Sequence, residues 1–172
     1  MIEEVQDTLS SILTSNMAAE LATLDDPAGG LAMTLTAPTR YLIDYDPDIG
    51  SMLPADLYPL GIIYYEDSTV DDELSTGYRV VWWHRFLVVC MFMTTDLTSY
   101  TDVLNAIENM QRGRSRYAEA VIGALKKNQQ TSPIQMIRIE RVDRSRTLVK
   151  PDMTQILGGI GIEILVRESQ TL

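Results

Sequence analysis

Cysteine and histidine are almost absent from this 172-residue sequence, which contains one of each, Cys90 and His84. A single cysteine cannot form an internal disulfide, and Cys90 lies in the most apolar stretch, where a small buried thiol is the usual role. Structural zinc sites need four ligands, mostly Cys and His, so the sequence also excludes this class of site. We therefore expect a fold stabilised by its core alone, in a reducing cytoplasm.

Long apolar runs and a secretory leader are also missing. The longest candidate, residues 80–93, is interrupted by His84 and Arg85 and falls short of the roughly 18 apolar residues of a membrane span. The first residues, Met-Ile-Glu-Glu, are acidic where a secretory signal is basic. With 45% hydrophobic and 22% charged residues, the composition is that of a globular chain. We expect a soluble, intracellular protein with one domain over residues 1–172, without a membrane partner.

Positive charge is scarce in the first two thirds of the chain. Residues 1–111 hold 3 Arg and 18 Asp or Glu, a balance of −15, within a total of −10. Residues 112–150 hold 10 Lys or Arg against 3 acids, a balance of +7, and residues 151–172 contribute −2. The net charge argues against general nucleic-acid binding, which needs a positive surface. The uneven distribution predicts two oppositely charged regions on one molecule.

Apolar periodicity predicts two helical regions. Spacings of three and four residues predict a helix over Ile2–Leu24, ending near residues 25–27. Ser99 is a candidate N-cap for a second helical region, and the pattern resumes after Gly113, so this glycine separates two helices or kinks one. The region ends at residues 126–128, where two lysines suit the helix dipole and an asparagine suits the stop.

Short β-branched and aromatic runs predict the strands of the first half. Residues 31–43 are extended chain with up to two short strands, and the prolines of residues 44–60 predict a long surface loop. Residues 61–65 and 78–94 are predicted to pair as a hairpin. The residues between them would form an acidic tip, which we place at residues 66–73.

Two further runs, residues 134–142 and 155–167, predict an antiparallel pair joined by residues 143–154. Residues 80–93 are apolar on both faces, which predicts a central strand covered on both sides, by a helix and by a neighbouring subunit. Because Trp82 and Trp83 are adjacent, they must point to opposite sides, one into the core and the other towards an interface. The fold class is α+β, a mainly antiparallel sheet with an N-terminal helix and a central helix packed on it.

No pattern predicts catalysis, a cofactor or a metal site, so we expect no enzymatic activity. His84 lacks a neighbouring nucleophile and is predicted to be structural. Gly158, Gly159 and Gly161 resemble a phosphate-binding turn, but a strand pattern follows them instead of a helix. Glycines in a strand are more typical of a bulge or of a close approach by another backbone, which a subunit contact would supply.

The sequence contains an acidic cluster, which includes Asp67, Asp71, Asp72 and Glu73, and a basic cluster, which includes Arg138, Arg141, Arg144 and Arg146. Both clusters are better explained by docking than by catalysis or ligand binding. The acidic cluster lacks the ligand order of a calcium loop, and the basic cluster lacks the interleaved aromatic residues typical of single-strand binders. Opposite-charge docking between copies accounts for both. The predicted subunit-interface residues are Asp67, Asp71, Asp72 and Glu73 on one side and Arg138, Arg141, Arg144 and Arg146 on the other.

The predicted elements include a helix at residues 2–24, a strand at 78–89, a helix from Thr101 and a closing strand at 160–166. In their order and length, these elements resemble those of tailed-bacteriophage tail terminator, or tail completion, proteins. The resemblance extends over nearly the whole chain, although the proline-rich loop at residues 44–59 departs from compact members of the family. It implies a hexameric ring in the virion neck, assembled in the host cytoplasm. Such a ring caps the tail tube and meets the head connector.

These expectations define two alternatives. In the first, the chain is a structural neck protein whose partners are its own copies, the tail tube protein and the connector or neck proteins. DNA then passes through the lumen without specific binding, which an acidic surface favours. In the second, the chain is a small-molecule-binding or regulatory α+β module, with or without enzymatic activity, that has a pocket near His84, Trp82 and Trp83.

Overall fold

A computed structural model of the chain describes residues 2–24, 35–45, 57–94, 100–143, 147–149 and 156–171. The helices and strands in these ranges are α1 (Ile2–Leu24), β1 (Tyr41–Ile43), β2 (Leu60–Val70), β3 (Arg79–Thr94), α2 (Tyr100–Lys127), β4 (Ile134–Asp143), β5 (Thr147–Val149) and β6 (Ile156–Thr171). The candidate N-cap Ser99, the predicted stop at residues 25–27 and most of the proline-rich loop lie outside the described residues.

The described strands form one sheet in the order β1-β2-β3-β6-β4, with β5 pairing β6 beside β4. Only the β1–β2 contact among these pairs is parallel, and all the others are antiparallel. The α+β class with a mainly antiparallel sheet is therefore confirmed. The predicted pairing of the two late runs is confirmed as β4 against β6, and the connection between them contains β5.

The strand β3 lies at the centre of the sheet and pairs with β6 along its whole length, from Arg79 opposite Thr171 to Thr94 opposite Ile156. Side chains alternate between the two faces of a strand. The even-numbered residues of β3 from Phe86 to Phe92 join the main core on the helix-covered face. We call this the inner face, and the opposite one the outer face.

Both helices pack on the inner face through one apolar stripe each. The predicted stripe of α1, including Leu9, Leu13 and Met17, is buried, as the periodicity required. The helix α2 is continuous through Gly113, which corrects the alternative that this glycine separates two helices. Gly113 is buried, and a Cβ on it would lie 3.4 Å from the Phe92 ring, so this glycine permits close packing.

The strand β2 is longer than predicted, because it continues through the polar residues 66–69 and ends at Val70. A bulge after Tyr65 shifts the register, so that Asp67 pairs with Arg85 of β3. An extra residue disturbs the alternation of a strand, which made this segment resemble a turn. The predicted acidic tip therefore divides into a strand segment with Asp67 and a turn at residues 71–78.

At one end, the outer face carries a second, smaller cluster of buried apolar side chains, Leu60, Ile62, Val89, Met91 and Leu157. Towards the turn at residues 71–78, the same face instead carries half-buried Trp83 and exposed Arg85. No described helix contacts the outer face. The sheet thus has a helix-covered side and a side whose turn end is open to a neighbour.

Candidate functional site

The turn at residues 71–78, which we call the tip, is built around Asp71. Its carboxylate Oδ1 accepts a hydrogen bond from the Leu74 amide at 3.1 Å. Its carbonyl oxygen accepts from the amide of Ser75 at 3.0 Å and from the hydroxyl of Ser75 at 2.6 Å. The Ser75 hydroxyl oxygen accepts in turn from the Val81 amide at 3.0 Å. Side-chain to backbone bonds of this kind fix turn geometry, so the tip is a defined structural element.

Trp83 connects the tip to the outer face of the sheet. Its indole Nε1 donates to Asp71 Oδ2 at 2.9 Å, and the Arg167 guanidinium carbon lies 5.7 Å from its ring centroid. The bond from Trp83 holds the pKa of the Asp71 carboxyl below its ordinary value, and the bond from the Leu74 amide adds to this effect. Asp71 thus stays charged at neutral pH, and its role is to organise the tip.

The other acids of the predicted interface differ in position. Asp72 and Glu73 are exposed on the tip. Asp67 lies on β2, and its carboxylate is 3.8 Å from Arg85 Nε, with both side chains substantially exposed. The neighbouring bulge residue Glu66 has a pKa above its ordinary value because of partial burial and the nearby negative charge of Glu163. The outer face therefore has an acidic side along β2.

The described basic residues of the predicted interface lie on β4, at the opposite edge of the sheet. Arg138 Nε is 2.8 Å from Glu140 Oε1, and Arg141 Nη1 is 3.8 Å from Glu163 Oε1. The two arginine side chains are 66% and 68% exposed, against 29% and 32% for their acidic partners. These guanidinium groups therefore keep N–H donors that point to solvent. Arg144 and Arg146 lie outside the described residues.

A shallow depression of about 300 Å³ lies on the outer face between these two sides. It is lined by Asp67, Thr69, Trp83, Arg85, Arg138 and Leu165. The fold thus brings Asp67 and Arg138, two members of the predicted interface, to one face, with an indole and a leucine between them. The tip acids lie at the end of the same face.

His84 is on the inner face and forms a buried pair with Glu168. The two side chains are 3% and 2% exposed, and His84 Nε2 is 2.9 Å from Glu168 Oε2. The Trp82 ring stacks on the imidazole, while Tyr65 and Phe86 surround it. Burial alone would raise the pKa of Glu168, but hydrogen bonds, including the one from His84, and nearby positive charge hold it below its ordinary value. The imidazole is used structurally, as the sequence predicted.

The pocket considered around His84, Trp82 and Trp83 does not form as a single cavity. His84 and Trp82 face the helices, whereas Trp83 lines the depression on the outer face. The expected opposite orientation of the two indoles is confirmed. Both are half-buried, so the prediction that one of them is a core residue is wrong. The fully buried aromatic residue of this strand is Phe86, closer to its middle.

The glycines of β6 serve packing within the chain. A Cβ on Gly158 would lie 2.3 Å from Met110 Sδ and 2.9 Å from the Phe92 ring. A Cβ on Gly161 would lie 3.3 Å from Leu87 Cδ1. The atoms that approach both glycines are side chains of this chain. Packing within the chain therefore accounts for Gly158 and Gly161, and the predicted subunit contact at these glycines stays a prediction.

Cys90 is fully buried, and its Sγ is 4.0 Å from the Tyr41 hydroxyl. Burial raises the pKa of its thiol to about 12. A thiol that is neutral and inaccessible at physiological pH is not a nucleophile. The prediction of a structural buried thiol is confirmed.

Three residues with roles at these sites were not singled out from the sequence. Glu168 is recognisable only once the β3–β6 register places it beside His84. Leu74 and Tyr78 were missed because the tip was predicted to end at residue 73 and Tyr78 was assigned to the strand at residues 78–94. Their only sequence signal is the presence of two large apolar side chains within a polar segment.

Comparison with known proteins gives no family assignment. No protein-family model matches the chain, and no curated protein matches it. One solved structure, described as "Virion of native gene transfer agent (GTA) particle", contains a chain that aligns over 92% of this chain and 95% of its own length. The alignment has 12% identity and a TM-score of 0.34.

Among the described residues, no helix is long and apolar enough to cross a membrane. Within the same ranges, no three His, Cys, Asp or Glu side chains are grouped so that they could hold a metal ion.

Proposed function

We propose that this chain is a structural protein of the tailed-phage virion, a neck component without enzymatic activity. It forms a ring that terminates the tail tube and joins it to the head connector. The observation that carries the proposal is the order of the elements, a long helix, a hairpin, a second long helix and a closing antiparallel pair. This is the order on which the resemblance to tail terminator proteins rests.

The charge distribution is consistent with a closed ring. A head-to-tail ring needs two different, complementary surfaces on each subunit. The acidic surface comprises Asp67 on β2 with Asp72 and Glu73 on the tip, and the basic surface comprises Arg138 and Arg141 on β4. These surfaces belong to different parts of one sheet, so one copy's acids can meet the next copy's arginines. Asp71 holds the acidic surface in place.

The ring role is tested by measuring the mass of the full chain in solution over a range of concentrations, alone and with purified tail tubes. We expect a discrete ring-sized species, hexameric if the resemblance holds, that binds tube ends in electron micrographs. A chain that stays monomeric at high concentration and never associates with tubes would exclude the role. If the chain forms rings that do not bind tube ends, the proposed oligomer is supported and the proposed role as tail terminator is refuted.

Reversing the charge of Asp72 and Glu73 to lysine should weaken self-association at low salt. Exposed ion pairs are individually worth roughly 0 to 1 kcal/mol and are screened by salt. The defect should therefore shrink as salt is raised, in a sedimentation series. The matched control is Asp7→Lys with Glu119→Lys, two exposed helix positions that give the same change in net charge. Equal behaviour of the two double variants would show that only net charge matters and would refute the pairing.

A further inference from the structure

The tip carries exposed apolar side chains among its acids. Tyr78 is 83% exposed and Leu74 is 47% exposed, and Val70, at the end of β2, is 41% exposed. Single exposed apolar residues are ordinary on protein surfaces. Leu74 and Tyr78, however, lie on one eight-residue turn, and exposed apolar side chains that are grouped and surrounded by polar residues are typical of a surface that is buried by a partner. Tyrosine in particular is enriched among residues that dominate binding energy.

The backbone that presents Leu74 and Tyr78 is already ordered in the single chain. The Leu74 amide is bound to Asp71, and next to Tyr78 the backbones of Thr76 and Arg79 exchange hydrogen bonds of 2.7 and 3.2 Å. Trp83 ties Asp71 to the sheet. Ordering of a loop is one of the main costs of association. A tip that is ordered in advance avoids most of that cost.

A complementary surface exists on β4 of the same chain. Met136 is 38% exposed, two residues before Arg138 and five before Arg141. An apolar side chain beside solvent-facing guanidinium groups matches a tip that combines apolar side chains with carboxylates. Glu140 on β4 and Glu163 on the neighbouring strand β6 are less exposed than their arginine partners, so the arginines are the more exposed charges of both pairs.

We infer that the tip of one copy docks on β4 of the next copy, with Leu74 and Tyr78 against Met136 and the tip acids Asp72 and Glu73 facing the two arginines. This inference rests on the proposed ring and adds its apolar anchor. Arg79 at the base of the tip donates to Gln135 Oε1 of β4 at 3.1 Å, so both surfaces lie at the same end of the sheet. Successive copies can therefore lie at the same height along the ring axis, which closure into a ring requires.

The first experiment compares self-association of the full chain with that of Leu74→Ala/Tyr78→Ala, by sedimentation at low and high salt. We expect the double variant to associate at least about tenfold more weakly. The loss should persist at high salt, because the contact it removes is apolar. Tyr64→Ala, which truncates an exposed tyrosine elsewhere on β2, should behave like the parent. Circular dichroism confirms that each variant is folded.

The second experiment tests that the contact joins two different surfaces. Met136→Glu removes the apolar site on β4 but keeps the tip, so it should also fail to assemble alone. A mixture with Leu74→Ala/Tyr78→Ala should form pairs and nothing larger, because each pair has one intact contact. If both variants form rings like the parent, the proposed docking contact is refuted while the proposed ring is supported. If the parent itself never associates, the proposed ring and the proposed docking contact are both refuted.

Discussion

Replacing His84 by alanine should lower the free energy of unfolding by about 3 kcal/mol, because the buried Glu168 carboxylate loses a hydrogen-bond partner and hydrogen bonds to charged groups are worth roughly 1.5 to 3 kcal/mol. Glu168 is 2% exposed, and its carboxylate oxygen Oε2 lies at hydrogen-bonding distance, 2.9 Å, from His84 Nε2. The variant leaves this carboxylate buried with one partner fewer. It also removes the ring against which Trp82 stacks. Urea denaturation of parent and variant measures the difference.

The loss should depend on pH in a defined direction. The folded pKa of Glu168 lies below its ordinary value. The stability that the charged Glu168 carboxylate contributes is therefore complete above its pKa in the unfolded state. This stability is lost as the pH falls through the lower pKa of the folded state. His84→Ala raises the folded pKa because the carboxylate loses a donor. The two stability curves should thus be furthest apart near neutral pH and converge in acid.

The control for this prediction is Glu163→Ala, on the same strand. Glu163 is 32% exposed and its ion pair with Arg141 spans 3.8 Å, so its removal should cost no more than about 1 kcal/mol. Equal small losses in both variants, with parallel pH curves, would mean that the buried pair does not stabilise the fold. Glu168→Gln keeps the shape of the side chain and separates the charge from the packing.

The sequence predicts the helices, the long strands and the two antiparallel pairings β2–β3 and β4–β6, but it does not predict which side chains the strand register brings together. The helix α1 follows from its apolar spacing, and the strands β3 and β6 follow from long β-branched runs, because these signals depend on near neighbours alone. The pairing of His84 with Glu168 depends on a register between residues 84 positions apart. No local pattern contains that register.

The acidic segment of β2 shows a second reason for error. Glu66 and Asp67 have low strand propensity, yet they lie within a strand because β3 offers a hydrogen-bonding partner along residues 67–70. Tertiary pairing therefore prevails over local preference. The predicted subunit interface stays a prediction, but the fold distributes its acidic residues over two elements. The prediction grouped Asp67 with the tip acids, whereas the fold places Asp67 on the strand beside Arg85 and gives Asp71 a structural role.

Replacing Gly61 by alanine should destabilise the fold by about 3 kcal/mol, at the upper end of the usual cost of overpacking. A Cβ at Gly61 would lie 2.2 Å from Cδ1 and 2.3 Å from Cε1 of the Tyr41 ring. An aromatic ring is rigid, so the clash can be relieved only by moving the whole side chain. Tyr41 is 6% exposed and part of the main core, which leaves it little room to move.

The position of this contact explains why the effect should exceed that of other glycines. Tyr41 pairs with Gly61 in the only parallel ladder among the described strands, so displacing the ring also pulls on β1. A Cβ at Gly158 meets the flexible end of Met110 first, and that side chain can adapt at lower cost. Gly61→Ala should therefore be the more damaging of the two substitutions.

Gly77 is the matched control, because a Cβ there has nothing within 4 Å. Gly77→Ala should unfold like the parent, whereas Gly61→Ala should show a lower urea midpoint with an unchanged slope. A double-mutant cycle with Tyr41→Ala then isolates the clash. Once the ring is gone, adding a methyl group at residue 61 should cost little, because the space above it is empty. If Gly61→Ala costs the same with and without the Tyr41 ring, the ring is not what excludes a side chain at this position, and the tight β1–β2 contact described above is wrong.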